Sequence, residues 1–135
     1  MSDKKYKYIY GQKIMNPEVI SPLIKNILEM INKKLNKNYD SILINYYSDG
    51  NIGMRYHSDS VYGEWYEDSV VISFGSEREI IFREIDNYSN KIKFIMESGD
   101  LLFMKEGCQK LYQHKVSKNR NITLDRISLV FKRHK

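Results

Sequence analysis

Cysteine is almost absent from this chain: Cys108 stands alone among 135 residues. A single thiol excludes a disulfide framework and a cysteine-based zinc site within the chain, and an ordinary packed or loop thiol is the expected role. Histidine is nearly as scarce. His57, His114 and His134 are the whole supply, so any histidine-ligated metal draws on this short list. No apolar run reaches the length needed to cross a bilayer. The opening MSDKKYKYIY lacks the apolar centre of a signal peptide, so an intracellular location, cytoplasmic or nuclear, is expected. Internal repeats, low-complexity tracts and linkers are lacking as well, and the length fits one domain over residues 1–135.

What the chain does have is 41% apolar and 29% charged residues, the balance of a soluble, globular protein. The net charge of +5 suits a partner carrying phosphates. Abundant Asn, Lys, Ile and Tyr would equally follow from a coding sequence rich in A and T.

Tyr and Lys alternate near the start, which predicts a short edge strand or an ordered arm over residues 1–15. Ser21-Pro22 predicts a helix start, with Ser as N-cap and Pro at the first helical position. Leu23, Ile24, Ile27, Leu28, Ile31 and Leu35 then form one apolar stripe at helical spacing. From Ser41 the period changes to two, and strands are expected at Val70–Phe74, Ile80–Phe82, Ile92–Met96, Leu101–Phe103, Leu111–Val116 and Arg126–Lys132. Lys105–Gln109 reads as a loop. One helix followed by many short strands predicts a mainly β (α+β) fold, a double-sheet jelly roll with a supporting N-terminal helix.

His57-Ser58-Asp59 carries the chemistry. On a strand, residues i and i+2 share a side, so an imidazole and a carboxylate would aim at one point. Two His and one carboxylate make the face used by non-haem Fe(II) oxygenases. The pair alone is a weak signal, expected by chance in about a third of chains of this composition, and a hydrogen-bonded structural histidine is the commoner role. His114, in a later strand-like segment, is the candidate third ligand; His134, in a basic tail, is expected to be solvated. On the last strand Arg126, Ser128, Val130 and Lys132 share one face, while Ile127, Leu129 and Phe131 share the core face. Cations on an inward face need an anionic partner, and a guanidinium fits a carboxylate two-pronged. A wet edge strand is the alternative. Asn45 and Tyr47, upstream on one face, can also hydrogen-bond a carboxylate.

These segments together resemble the AlkB family. The matching runs are Ile44-Asn45-Tyr46-Tyr47, His57-Ser58-Asp59, the stretch SFGSEREIIFR from Ser73 to Arg83, Gly99-Asp100-Leu101-Leu102, His114, and Arg126 to Lys132. They cover most of the chain from about Ser21 onward, and the SFGxxRxxxFR run is far more specific than HxD. The family comprises Fe(II)- and 2-oxoglutarate-dependent dioxygenases that oxidatively dealkylate nucleic-acid bases on a double-stranded β-helix. The resemblance implies that His57, Asp59 and His114 bind Fe(II). It implies that Tyr47 and Arg126, with Ser128 nearby, hold the distal carboxylate of 2-oxoglutarate, and that Asn45 and Lys132 meet its chelating end, with O2 as co-substrate.

Lys132 stands where the family usually has Arg, keeping the charge without the fork, and Ser128 where Asn is common. The segment before Asn45 leaves room for a reduced lid only, which favours single-stranded DNA or RNA over a duplex. Arg78 and Arg83 are candidate phosphate contacts, and Tyr62, Trp65 or Tyr66 candidate stacking partners for a base. Two other functions fit the residues less well. One is the same oxygenase acting on a protein or small molecule; the other is a non-catalytic nucleic-acid-binding module.

Overall fold

Ser21 adopts the extended conformation of an N-cap (φ −65°, ψ 152°) and Pro22 opens helix α1, Pro22–Leu35. The Ser21 side chain makes no capping hydrogen bond. The helix start therefore rests on the proline and on backbone geometry, with the Ser21 carbonyl accepting from Lys25 N at 2.9 Å. Asn36 ends the helix in the left-handed region at φ 50°, a conformation Asn tolerates well. Leu28 and Ile31 are buried, and Ile24, Ile27 and Leu35 pack against the same cluster. Leu23 departs from the expected stripe: it is 71% exposed.

The computed structural model describes residues 1–10, 12–59 and 63–135. Two four-stranded antiparallel sheets make the body of the fold. The first runs β3 (Ser41–Tyr47), β10 (Arg126–Lys132), β5 (Ser69–Gly75), β8 (Leu101–Met104). The second runs β4 (Met54–His57), β9 (Tyr112–Val116), β6 (Arg78–Glu84), β7 (Lys91–Met96). This is the expected jelly roll. A one-turn helix, α2 (Cys108–Leu111), occupies positions read from sequence as loop and strand start. Its Cys108 thiol is partly buried, as a packing role requires.

The first sheet has two different faces. Ile42, Val70, Ile72, Leu129 and Phe131 pack with α1. Val70 and Phe131 are fully buried, each contributing on the order of 1.5–3 kcal/mol of transfer free energy. Tyr47 instead joins Ile80, Phe82, Met96, Met104 and Val116 in a second cluster. Because β10 lies between β3 and β5, the wet-edge alternative fails, and Arg126, Ser128 and Lys132 are all buried.

The N-terminal segment forms a hairpin, β1 (Tyr8–Tyr10) with β2 (Lys13–Met15), as a separate two-stranded sheet. The chain before it is tied to the body: the Met1 ammonium donates to the Ile42 carbonyl at 2.6 Å, and Ile42 N donates to the Met1 carbonyl at 2.8 Å. The turn between β3 and β4 docks tightly on the segment after β9. A Cβ on Gly50 would lie 1.7 Å from the Asn119 carbonyl oxygen, so only glycine fits there. No helix among the described residues is long and apolar enough to cross a membrane.

Candidate metal and co-substrate site

The end of β4 delivers His57, and the register of β4 on β9 places His114 directly opposite it. Asp59 lies two residues beyond, outside the strand. One ligand atom from each of His57, Asp59 and His114 falls within 4.8 Å of the others. Both imidazole Nε2 atoms approach Asp59 Oδ1, at 3.4 Å for His57 and 3.7 Å for His114. His57 Nδ1 donates to the Arg55 carbonyl at 2.7 Å. In the neutral ring that bond puts the proton on Nδ1 and makes Nε2 the ligating atom. Lys132 Nζ donates to Asp59 Oδ2 at 3.1 Å, and the Asp59 amide donates to Gln109 Oε1 at 2.7 Å. The carboxylate is thus divided: one oxygen is held by a cation and the other is turned to the histidines.

Charge states follow from this packing. Burial alone would raise the Asp59 carboxyl, but the bond from His57 and the charge of Lys132 outweigh it and hold it well below the usual carboxylate range. Burial pushes His114 down to about 4, so its ring is neutral at pH 7. His57 moves the other way: burial lowers it, but Asp59 and the Arg55 carbonyl more than offset that.

Tyr47 lies opposite Arg126, and Asn45 opposite Ser128, across the β3–β10 ladder. Arg126 is 2% exposed; its Nε donates to Ser73 Oγ at 2.7 Å, while its buried Nη1 has no partner. Its guanidinium carbon lies 5.0 Å from the centre of the Tyr47 ring. Asn45 Nδ2 donates to Ser128 Oγ at 3.4 Å. A cavity of about 210 Å³ is lined by Asn45, Tyr47, Arg126 and Ser128 together with His57, Asp59 and His114.

The sequence pattern of the 2OG-Fe(II) oxygenase superfamily matches residues 1–132. The chain belongs to this superfamily. It is 31% identical over 108 residues to an uncharacterized protein, R406, of Acanthamoeba polyphaga mimivirus; the match takes in 79% of this chain and 56% of that protein, so the chain spans little more than half of that relative. Among solved structures it resembles OsALKBH1, with a TM-score of 0.65 at 19% identity over 87% of this chain and 68% of that one. It also resembles the capsular polysaccharide assembling protein CapF of Staphylococcus aureus, with a TM-score of 0.53 at 8% identity over 96% of this chain and 30% of that one. At such identities the structural likenesses concern the fold alone, the double-sheet jelly roll described above.

Members of the superfamily use Fe(II), 2-oxoglutarate and O2, and the donor set fits them. Two imidazoles with free Nε2 atoms and an ionised carboxylate are the ligand types a non-haem Fe(II) takes. The orphan Nη1 of Arg126 is a buried donor lacking an acceptor, which a ligand carboxylate would supply. When bound, the iron and keto-acid supply the oxidising chemistry. The chain's own residues orient the groups: Arg55 sets one imidazole, Lys132 and Gln109 set the carboxylate, and Met54, Met96 and Met104 line the cavity with apolar surface that limits water.

Several expectations are corrected. Arg78 was a candidate phosphate contact, but it is 1% exposed and its donors go to the carbonyls of Asp49, Ile52 and Ser117. It ties the β3–β4 turn to the end of β9. Trp65, a candidate base platform, is 3% exposed and edge-packed on Tyr6, Tyr8 and His134. His134 is half-buried rather than free in solvent; its ring stacks on Tyr6 at 3.9 Å. Tyr66 lies against Arg133 at 3.6 Å. Tyr62 lies outside the described residues. Arg83 stays at the surface, on the outer face of the second sheet and away from the cavity. Lys132 lines a smaller neighbouring cavity of about 60 Å³ and pairs with Asp59.

Sequence reasoning missed Tyr8 and Met15, which line the central cavity from the hairpin. The Tyr/Lys alternation of the N-terminal segment was their only signal. It also missed Ser73, the partner of Arg126, although Ser73 opens the SFGxxRxxxFR run.

Proposed function

We propose that this chain oxidatively removes N-alkyl groups from bases of single-stranded DNA or RNA. In this reading His57, Asp59 and His114 hold Fe(II), Tyr47, Arg126 and Ser128 hold the distal carboxylate of 2-oxoglutarate, and Asn45 meets its other end. Lys132 acts through Asp59, fixing which carboxylate oxygen faces the metal. The chain is treated as one catalytic domain whose small lid is the β1–β2 hairpin.

One observation carries this reading. The three ligand residues, the unpaired donor of Arg126 and the aromatic ring of Tyr8 from the hairpin all line one cavity. An aromatic ring beside an oxidising centre suits a planar base, which stacks at roughly 1–3 kcal/mol per base. An unpaired base reaches such a cavity without the cost of leaving a duplex stack. The basic balance of the chain, +5, supports a polyanionic substrate.

Mass spectrometry of methylated oligonucleotides incubated with Fe(II), ascorbate and 2-oxoglutarate tests it. Loss of methyl from one or more bases, matched by succinate, is the expected result. Succinate without loss of methyl from any base would overturn the nucleic-acid assignment and point to a protein or small-molecule substrate.

A further inference from the structure

We propose that the outer face of the β4-β9-β6-β7 sheet is a track for the phosphate backbone of single-stranded nucleic acid, centred on Arg83. The choice of partner rests on the function proposed above; the track itself lies outside the cavity and involves none of the residues placed there.

The pleat of β6 sends Ile80 and Phe82 into the core, so Ile81 and Arg83 take the other face, where Ile81 is buried beneath its neighbours and Arg83 is half-buried. Ile81 lies opposite Lys93 on β7 and Lys115 on β9. Arg83 lies opposite Lys91 and Gln113. Two rows of side chains result, about 6.8 Å apart along the strands, holding Arg83, Lys91, Lys93 and Lys115 and no carboxylate. Among the described residues none of these four cations forms an ion pair. The acid on the same face of β6, Glu79, accepts from Ser117 Oγ at 2.8 Å.

Arg83 is also held in place, unlike an ordinary surface arginine. Its guanidinium carbon lies 3.8 Å from the Tyr56 ring centre and 3.6 Å from that of Tyr88. Nε and Nη2 donate to Gln113 Oε1 at 3.0 and 2.8 Å. The side-chain freedom that binding an anion would otherwise cost is already spent, and Nη1 remains as a donor. Lys115 Nζ stands 5.0 Å from the same Tyr56 ring. Tyr56 precedes His57, and Gln113 and Lys115 flank His114 in sequence. The track therefore lies on the back of the two strands that deliver the imidazoles, and β4 is the edge of the sheet. A strand laid across the rows passes over that edge toward the ligand segment. Separated cations with interleaved tyrosines match the chemistry of a non-sequence-specific single-strand site.

The test is fluorescence anisotropy with a labelled, unmethylated oligo-dT between about 50 and 200 mM salt. The paired change Lys93→Ala with Lys115→Ala is expected to weaken binding and to make the slope of log K against log salt shallower by about 1.4, two phosphate contacts at about 0.7 each. Arg83→Gln is expected to lower affinity and slope, and Arg83→Lys to restore the slope but not the full affinity. Wild-type slopes in both the Lys93/Lys115 pair and Arg83→Gln would overturn the track. So would poly-glutamate competing as well as oligo-dT, which would mark the face as a site for acidic polypeptide. Methyl loss with unaltered slopes removes the track and leaves the demethylase reading standing; shallower slopes with no methyl loss do the reverse.

Discussion

Arg78 and Arg126 lie against the same tyrosine and are surrounded in opposite ways. Both guanidiniums are almost fully buried, and both sit near the Tyr47 ring, at 5.4 and 5.0 Å. Arg78 gives its hydrogens to three backbone carbonyls, those of Asp49, Ile52 and Ser117. Arg126 meets the hydroxyls of Ser73 and Tyr47, and its buried Nη1 has no acceptor. A buried cation that is fully hydrogen-bonded is a fastening. A buried cation with a donor left over has room for one more acceptor, the part that the proposed 2-oxoglutarate carboxylate would play. Burial makes either guanidinium harder to charge, and the neighbouring Tyr47 works against that in both. The difference between them lies in their hydrogen-bond partners.

Four measurements sharpen or break that contrast. Arg78→Met is expected to be the most damaging, because three carbonyls of the β3–β4 turn and the β9 end lose their donor together. The loss should be about 4 kcal/mol, read as a lower urea midpoint whether or not 2-oxoglutarate is present. A midpoint equal to wild type would mean that the turn holds without its fastening. Arg126→Met should leave the midpoint within about 1 kcal/mol, since a buried charge with a donor left unpaired is removed along with its two hydroxyl contacts. Binding of 2-oxoglutarate, followed anaerobically by the visible band it forms with Fe(II), should weaken by about 3 kcal/mol, more than 100-fold. Unchanged binding in this variant would remove Arg126 from the co-substrate site.

Tyr47→Phe probes the ring between them. The ring near both guanidiniums is kept and the hydroxyl is lost, so stability should hold while 2-oxoglutarate binds roughly tenfold more weakly, about 1.4 kcal/mol. A fall in stability comparable to that of the Arg78 variant would show that the hydroxyl is structural. The smallest effect is expected from Asp68→Asn, far from both arginines. Burial alone would raise the Asp68 carboxyl, but Lys37 at 3.0 Å and the Tyr39 hydroxyl at 2.9 Å outweigh it and hold it below its ordinary value. A carboxyl with a depressed folded pKa stabilises the fold above its unfolded pKa, about 4, and that contribution fades as pH falls through the folded value. Urea midpoints taken from pH 7 down to pH 3 should therefore decline less steeply in the Asp68→Asn variant than in wild type. Parallel declines would assign the acid limb to other carboxylates.

The two arginines also show where a sequence stops being legible. Arg126 opened an expected strand while Arg78 lay two residues ahead of one, Ile80–Phe82; in the fold Arg78 begins β6 as Arg126 begins β10. Arg126 was read correctly as facing inward because its strand alternates cleanly. Arg78 was read as a phosphate contact, yet its partners come from residues 26 to 39 positions away in the chain. Trp65 and His134 went astray for the same reason, since their packing depends on Tyr6 at the far end of the sequence. Lys132 was placed at the keto-acid, and only the folded chain shows its ammonium on Asp59.

What the residues determined unaided was everything set by local periodicity and by scarcity. Period-two alternation dictates strands whatever their neighbours, a Ser-Pro step opens a helix, and three histidines leave few ways to build a metal face. What tertiary structure alone decided was pairing: which strand lies beside β10, which carbonyls meet Arg78, and that Tyr8 comes to the cavity. Those outcomes depend on contacts between distant segments, and a hydrogen bond across the fold leaves no periodic mark in the chain that makes it.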